Sequence, residues 1–163
     1  AVAKGYGVDW IANFLTDRGF DNFMVEIGGE VRVVGDSPRS TPWRIAIEQP
    51  SVLAGGARLA LNVDNHAVAT SGDYRNYFEV DGVRYSHTID PKTGRPIKHN
   101  LASVTVVAET AARADAWATA LNVLGPEKGM ELANAEQLAV YMIVKDGDGF
   151  VDTQSVTFSQ LLH

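Results

Sequence analysis

Two pairs of β-rich runs are each broken by only two residues: FMVEI and EVRVVG flank Gly28-Gly29, and NYFEV and VRYSHTI flank Asp81-Gly82. A two-residue loop cannot carry the chain across to a parallel neighbour, so each pair has to close as an antiparallel hairpin through a primed turn. WRIAIE (Trp43 to Glu48), RLALNV and HAVATSG broken at Asp64-Asn65, and SVTVVA (Ser103 to Ala108) read as further strands. LAVYMIVK (Leu138 to Lys145), a DGDG turn and FVDTQS close the chain as another hairpin. Val8, Ile11, Ala12 and Leu15 form the apolar stripe of a helix from about Tyr6 to Arg18, with Gly19 as its stop. TAARADAWATALNVLG predicts a second helix with Thr110 as N-cap and Gly125 beyond its end, and Pro126 opens a short third one to about Ala135. Antiparallel hairpins with helices inserted between them predict the α+β class, with a mixed, mainly antiparallel sheet.

No repeat, low-complexity segment or linker divides the 163 residues, which are enough to bury one core, so the chain reads as a single domain over 1–163. No run approaches the roughly 18 apolar residues of a membrane span, so this chain is expected to hold no membrane-spanning segment. The formal net charge is −6 with the basic residues dispersed, which argues against a nucleic-acid surface and leaves small molecules or proteins as partners. The absence of cysteine excludes thiolate metal sites, disulfides and a cysteine nucleophile. There is no G-x-S-x-G, H-E-x-x-H or G-x-G-x-x-G motif to support hydrolase, zinc-protease or Rossmann readings. AVAKGYGVDW carries no initiating Met, charged n-region or apolar h-region, and is expected to be the start of a processed or excised fragment.

Four segments hold residues with chemical potential, and each also has an ordinary structural reading. Asp115 and Thr119 lie four apart on the long helix, so about 6 Å of rise stacks their oxygens on one face. Both are hard oxygen ligands suited to magnesium, yet such a pair is more commonly a solvated Asp and a Thr bonding back to a helical carbonyl. Trp117, Ala120, Leu121 and Leu124 read as one stripe of that helix. Asp115, Ala118, Thr119 and Asn122 read as a second face, whose small side chains permit close approach. AKGYG puts Lys4 and two glycines at the start of the first helix, which is either an anion site or a flexible helix entry. Gly28-Gly29 is either a ligand-approaching backbone or a tight turn, and Thr70, Ser71, Gly72 and Asp73 either bind phosphate or form a turn between strands. In SHTIDPKTGRPI, Asp90-Pro91, Gly94 and Pro96 make a rigid loop beside His87. A lone histidine is more often structural than catalytic, and His66, His99 and His163 offer no ligand cluster with it.

AVAKGYGVD, VEIGGEVRVVG, PWRIAIEQP, AVATSGDYRNYFEVDGVRYSHTIDPKTGRPI and SVTVVAETAARADAWATALNVLG, in that order, resemble the FAD:protein FMN transferases of the ApbE family, from Ala1 to about Val144. The resemblance is to the C-terminal part, and it implies one of two similar T-fold-type halves plus a crossing helix. It implies transfer of FMN from FAD to a Thr or Ser hydroxyl of an acceptor flavoprotein, with AMP released and magnesium as cofactor. Asp115 and Thr119, with the carbonyl of Ala1, are then the magnesium ligands. Lys4 lies near the flavin or its phosphates, and Gly28, Gly29, Glu30, Thr70, Ser71, Gly72 and Asp73 line the FAD cleft. His87 is the base for the acceptor hydroxyl, held by the DPKTG turn. The alternatives are an FAD pyrophosphatase, in which water replaces the hydroxyl, and a non-catalytic flavin-binding assembly protein. The resemblance also implies an N-terminal part of the same protein as a partner, an apolar face for it to cover, and a periplasmic, lipid-anchored location.

Overall fold

The computed structural model describes residues 2–50, 56–72, 77–80, 83–86 and 88–162. Its centre is a six-stranded antiparallel sheet formed by β1 (Phe23–Ile27), β2 (Glu30–Val34), β5 (Ala67–Gly72), β10 (Leu101–Ala108), β11 (Ala139–Asp146) and β12 (Gly149–Gln154), side by side in that order. Three smaller hairpins complete the strands: β3 (Trp43–Glu48) with β4 (Ala57–Val63), β6 (Tyr77–Val80) with β7 (Val83–Ser86), and β8 (Ile89–Asp90) with β9 (Arg95–Pro96). Both hairpins predicted from two-residue breaks are present. Gly28 and Gly29 have φ of +59° and +97°, the two positive values that a type I′ turn requires; Asp81-Gly82 lies outside the described residues.

Strand alternation sends side chains to two different layers. On β11, Val140 and Met142 face α2 (Ala111–Leu124) and α3 (Pro126–Ala135), packing with Val104, Val106, Ala114, Ala118 and Leu121. Ala139, Tyr141 and Ile143 face the opposite way, onto the β3–β4 hairpin and α4 (Val156–Leu161), where Ile47, Leu61, Val63 and Phe158 meet them. A third cluster of Val8, Ala12, Val25, Ala67 and Ala111 seats α1 (Ala3–Asp17) over one end of the sheet beside α2. None of the described helices is long and apolar enough to cross a membrane.

Four readings of the sequence are settled or corrected. α1 begins at Ala3, because Tyr6 N already donates to Val2 O at 2.9 Å, and its buried face is Gly5, Val8, Asp9 and Ala12, with Ile11 turned outward. On α2 the small-residue face is the one packed against the sheet and α1; Ala120 and Leu124 are exposed, and only Leu121 of the expected stripe is fully buried. Thr70, Ser71 and Gly72 lie in the strand read from HAVATSG, paired with Thr105, Val104 and Ser103 of β10, so the turn that was the alternative for this segment is absent. The chain does not close on the β11–β12 hairpin: α4 follows, capped by Ser155, whose hydroxyl accepts from Phe158 N at 3.2 Å and from Val140 N at 2.9 Å.

Tyr141 shows how tightly the second layer is closed. Arg58 on β4 reaches across to Asp152 on β12 through Nε at 3.0 and 3.1 Å, beside the Tyr141 phenol. Burial, and after it the neighbouring Asp152, pushes the Tyr141 phenol up to about 12. The fold therefore favours its neutral form: stability is complete below about pH 10 and is lost as pH rises from there toward 12. Tyr141→Phe is expected to remove that slope from an alkaline unfolding series, and an unchanged slope would assign it elsewhere.

Candidate functional site

The amino-terminal turn of α1 lies against the amino-terminal half of α2 because residue 5 has no side chain. A Cβ there would sit 2.3 Å from Ala111 O and 2.8 Å from Ala112 Cα, inside van der Waals contact with backbone that cannot rotate away. The close approach lets Gly5 N donate to Asp115 Oδ2 at 3.1 Å. The anion at the start of α1 is thus the protein's own Asp115 carboxylate, which satisfies one of the N-H groups that a helix leaves free at that end.

The reciprocal contact comes from Asp9, one turn further along α1. Its carboxylate accepts from Ala111 N at 2.9 Å and Ala112 N at 2.8 Å, two free N-H groups of α2, while Thr110 Oγ1 accepts from Arg113 N at 3.3 Å. Arg32 Nη1 balances the charge at 3.0 Å from Asp9. Asp9 is 8% exposed, and neither the ion pair nor the cap was singled out in the sequence. Its signal was there: an acid directly after Val8 falls on the buried face once the helix starts at Ala3.

Lys4 faces the other way, onto the β1–β2 turn. Its ammonium lies 2.8 and 2.7 Å from the two oxygens of Glu30, which is 2% exposed, and donates to Gly28 O at 3.1 Å. The turn and the start of α1 are therefore locked together, with Gly28, Gly29, Glu30, Lys4 and Gly5 in one continuous region.

Across the helix, Thr119 Oγ1 lies 3.4 Å from Ser71 Oγ on β5. Thr70 is turned to the opposite face of the sheet, where its hydroxyl pairs with Thr105 Oγ1 at 2.8 Å. Strand alternation explains the split: adjacent residues of a strand cannot both face α2. Gly72 permits β10 to pass close by, since a Cβ would meet Ala102 O at 2.6 Å. Ala1, Asp73 and His87 lie outside the described residues.

Asp115 is 3% exposed and carries the only carboxylate on that α2 face, with the hydroxyls of Thr119 and Ser71 beside it. Among the described residues no group of three or more His, Cys, Asp or Glu side chains is placed to hold a metal. The donor set of one carboxylate and two hydroxyls is hard and short of charge. That fits magnesium, which keeps waters or substrate phosphate oxygens in most of its positions, and does not fit zinc or a dedicated calcium cage.

The site can be compared with known proteins. A profile of the ApbE family matches residues 1–142. The chain is 52% identical over 161 residues to the FAD:protein FMN transferase of Vibrio cholerae serotype O1 and 47% identical over 161 residues to that of Escherichia coli K12, covering 99% of this chain in each case. These alignments take in 48% and 46% of the two relatives, so the chain spans about half the length of the curated relatives it matches. The solved flavin transferase ApbE from Vibrio cholerae superposes with a TM-score of 0.87 at 48% identity, over 98% of this chain and 50% of that one. The ApbE protein of Thermotoga maritima gives 0.86 at 34% identity, over 99% of this chain and 52% of that one.

Proposed function

This chain belongs to the ApbE family, and on that premise we propose that it is the part of a flavin transferase that carries FMN from FAD to a Thr or Ser hydroxyl of an acceptor flavoprotein and releases AMP. The observation that carries the reading is the α2 face itself: a buried carboxylate at Asp115 and a hydroxyl at Thr119, with Ser71 across from it, beside a turn of two glycines. Magnesium, bound there, supplies charge neutralisation and orientation of the pyrophosphate. Asp115 and Thr119, with the Ala1 carbonyl, are its ligands in this reading. Lys4 and Glu30 hold the Gly28-Gly29 turn, whose open backbone lines the FAD cleft with Ser71, Gly72 and Asp73. His87 takes the proton of the acceptor hydroxyl as its oxygen bonds to the FMN phosphorus and the anhydride oxygen leaves with AMP. The protein works in the periplasm, tethered by a lipid anchor.

AMP release from FAD, followed with and without an acceptor protein, tests the activity. AMP that appears only with the acceptor supports transfer; AMP and free FMN without any acceptor would make the protein a pyrophosphatase, and FAD retained without AMP a carrier.

The same proposal assigns a cover to α1. Val2, Tyr6, Trp10 and Phe14 recur every four residues on its outer face and are 50, 63, 60 and 42% exposed. Trp10 and Phe14 stack at 5.9 Å with Arg18 over Phe14. The remaining, N-terminal part of a transferase of the relatives' length packs on this stripe. Trp10→Glu in the full-length protein is then expected to cost about 2 kcal/mol, as for a buried aromatic. A change in unfolding free energy within about 0.5 kcal/mol, as at an ordinary exposed position, would leave the stripe uncovered.

A further inference from the structure

We infer that Asn122 is a positioning residue of this site, clasping the loop 88–99 to the helix that carries Asp115 and Thr119. For its catalytic consequence the inference rests on the transferase reading above. Asn122 continues the face of α2 that begins with Asp115, about 4.5 Å of helical rise beyond Thr119, and is 1% exposed. Its Nδ2 donates to Thr88 Oγ1 at 3.4 Å, and its main-chain carbonyl accepts from His99 Nε2 at 2.7 Å. His99 Nδ1 accepts from Leu101 N at 3.3 Å, which places the ring proton on Nε2, facing that carbonyl. One helical residue therefore holds both ends of the loop.

Between those ends the loop is closed on itself. Ile97 N donates to Thr88 O at 3.1 Å, Gly94 N to Asp90 O at 2.8 Å, and the Asp90 carboxylate accepts from Lys92 N at 2.9 Å and Thr93 Oγ1 at 3.1 Å. A loop this rigid moves as a unit, so its attachment decides where it stands. Thr88 directly follows His87, and one trans peptide spans only about 3.8 Å between Cα atoms. Fixing Thr88 thus limits where the chain can carry residue 87 relative to α2.

The other atom of the amide points to function over stability. Asn122 Oδ1 is buried and finds no hydrogen-bond partner among the described residues. An unpaired buried acceptor is unfavourable, and an apolar residue of similar volume would avoid it. Positions that break a packing rule in this way are expected at functional sites.

Asn122→Leu removes the amide and keeps the main-chain bond to His99; Thr88→Val removes the other partner. In the full-length protein, with an acceptor flavoprotein present, each is expected to slow AMP release at saturating FAD and magnesium about fivefold, with the KM for FAD unchanged, and the double variant to be no slower than either single. Asn122→Leu should melt no lower than the parent. Hydrogen exchange at the amides of Gly94 and Ile97 should quicken about fivefold in both variants while the α2 amides keep their protection. Additive losses, a loss carried by KM, or loop exchange that does not change overturns the clasp. Should the parent protein release no AMP while loop exchange still quickens in the variants, the transferase reading fails and the clasp stands.

Discussion

Asp115→Ala is expected to lower flavin transfer by about a thousandfold or more, the scale of several kcal/mol of charge stabilisation lost from the reacting phosphate. Two effects are mixed in that variant, because Asp115 also accepts the Gly5 N-H at 3.1 Å. Leaving that buried donor unpaired costs about 1 to 3 kcal/mol of stability on its own. Asp115→Asn separates them: an amide oxygen still accepts from Gly5, but the charge that a hard cation needs is gone. The asparagine variant should therefore fold like the parent and transfer no better than the alanine variant, with its AMP release no longer rising with magnesium. His87→Ala should also abolish transfer yet leave the magnesium affinity intact. An asparagine variant with full activity would remove Asp115 from the ligand set.

Gly5→Ala is expected to cost about 3 kcal/mol and most of the activity. The added Cβ would lie 2.3 Å from Ala111 O and 2.6 Å from Ala111 C. Those atoms belong to the first turn of a helix, so the two helices have to part, a form of overpacking. Parting them stretches the Gly5 bond to Asp115 and both Asp9 bonds to α2 at once. Gly7 is the control. It lies two residues along in the same helix, and a Cβ there would meet only the tip of Ile27 at 3.3 Å. Gly7→Ala should then gain the roughly 0.5 to 1 kcal/mol of helix propensity that glycine gives up. The two variants are read by chemical denaturation, and equal unfolding free energies would mean that the helix contact at Gly5 is not tight.

These two positions also mark what was legible in the sequence. Gly28-Gly29 announced its hairpin because a two-residue turn has few solutions, and Thr110, Gly125 and Pro126 marked the ends of α2 and α3 through local cap chemistry. Asp115, Thr119 and Lys4 could be named as candidates because their residue types suit the chemistry, and Glu30 because of the family resemblance. Asp9, by contrast, acts 102 residues away at Ala111, and no local pattern reports a partner that distant. Which of the two faces of α2 is buried was left open by the sequence for a related reason. Alanine packs where two layers come close, so the small-residue side was the buried side, and the larger Leu124 was left outside. Period-two alternation along the strand read from HAVATSG separates Thr70 from Ser71. The helix α4 was hidden by its β-branched Val156 and Thr157, although Ser155 is a good N-cap.

The intact mass of an acceptor flavoprotein, after incubation with the full-length protein, FAD and magnesium, tests the central claim most directly. Transfer to a hydroxyl predicts a gain equal to FMN less one water, with one AMP released per adduct and no adduct when the acceptor Thr or Ser is replaced. An acceptor of unchanged mass beside accumulating AMP and free FMN would contradict it.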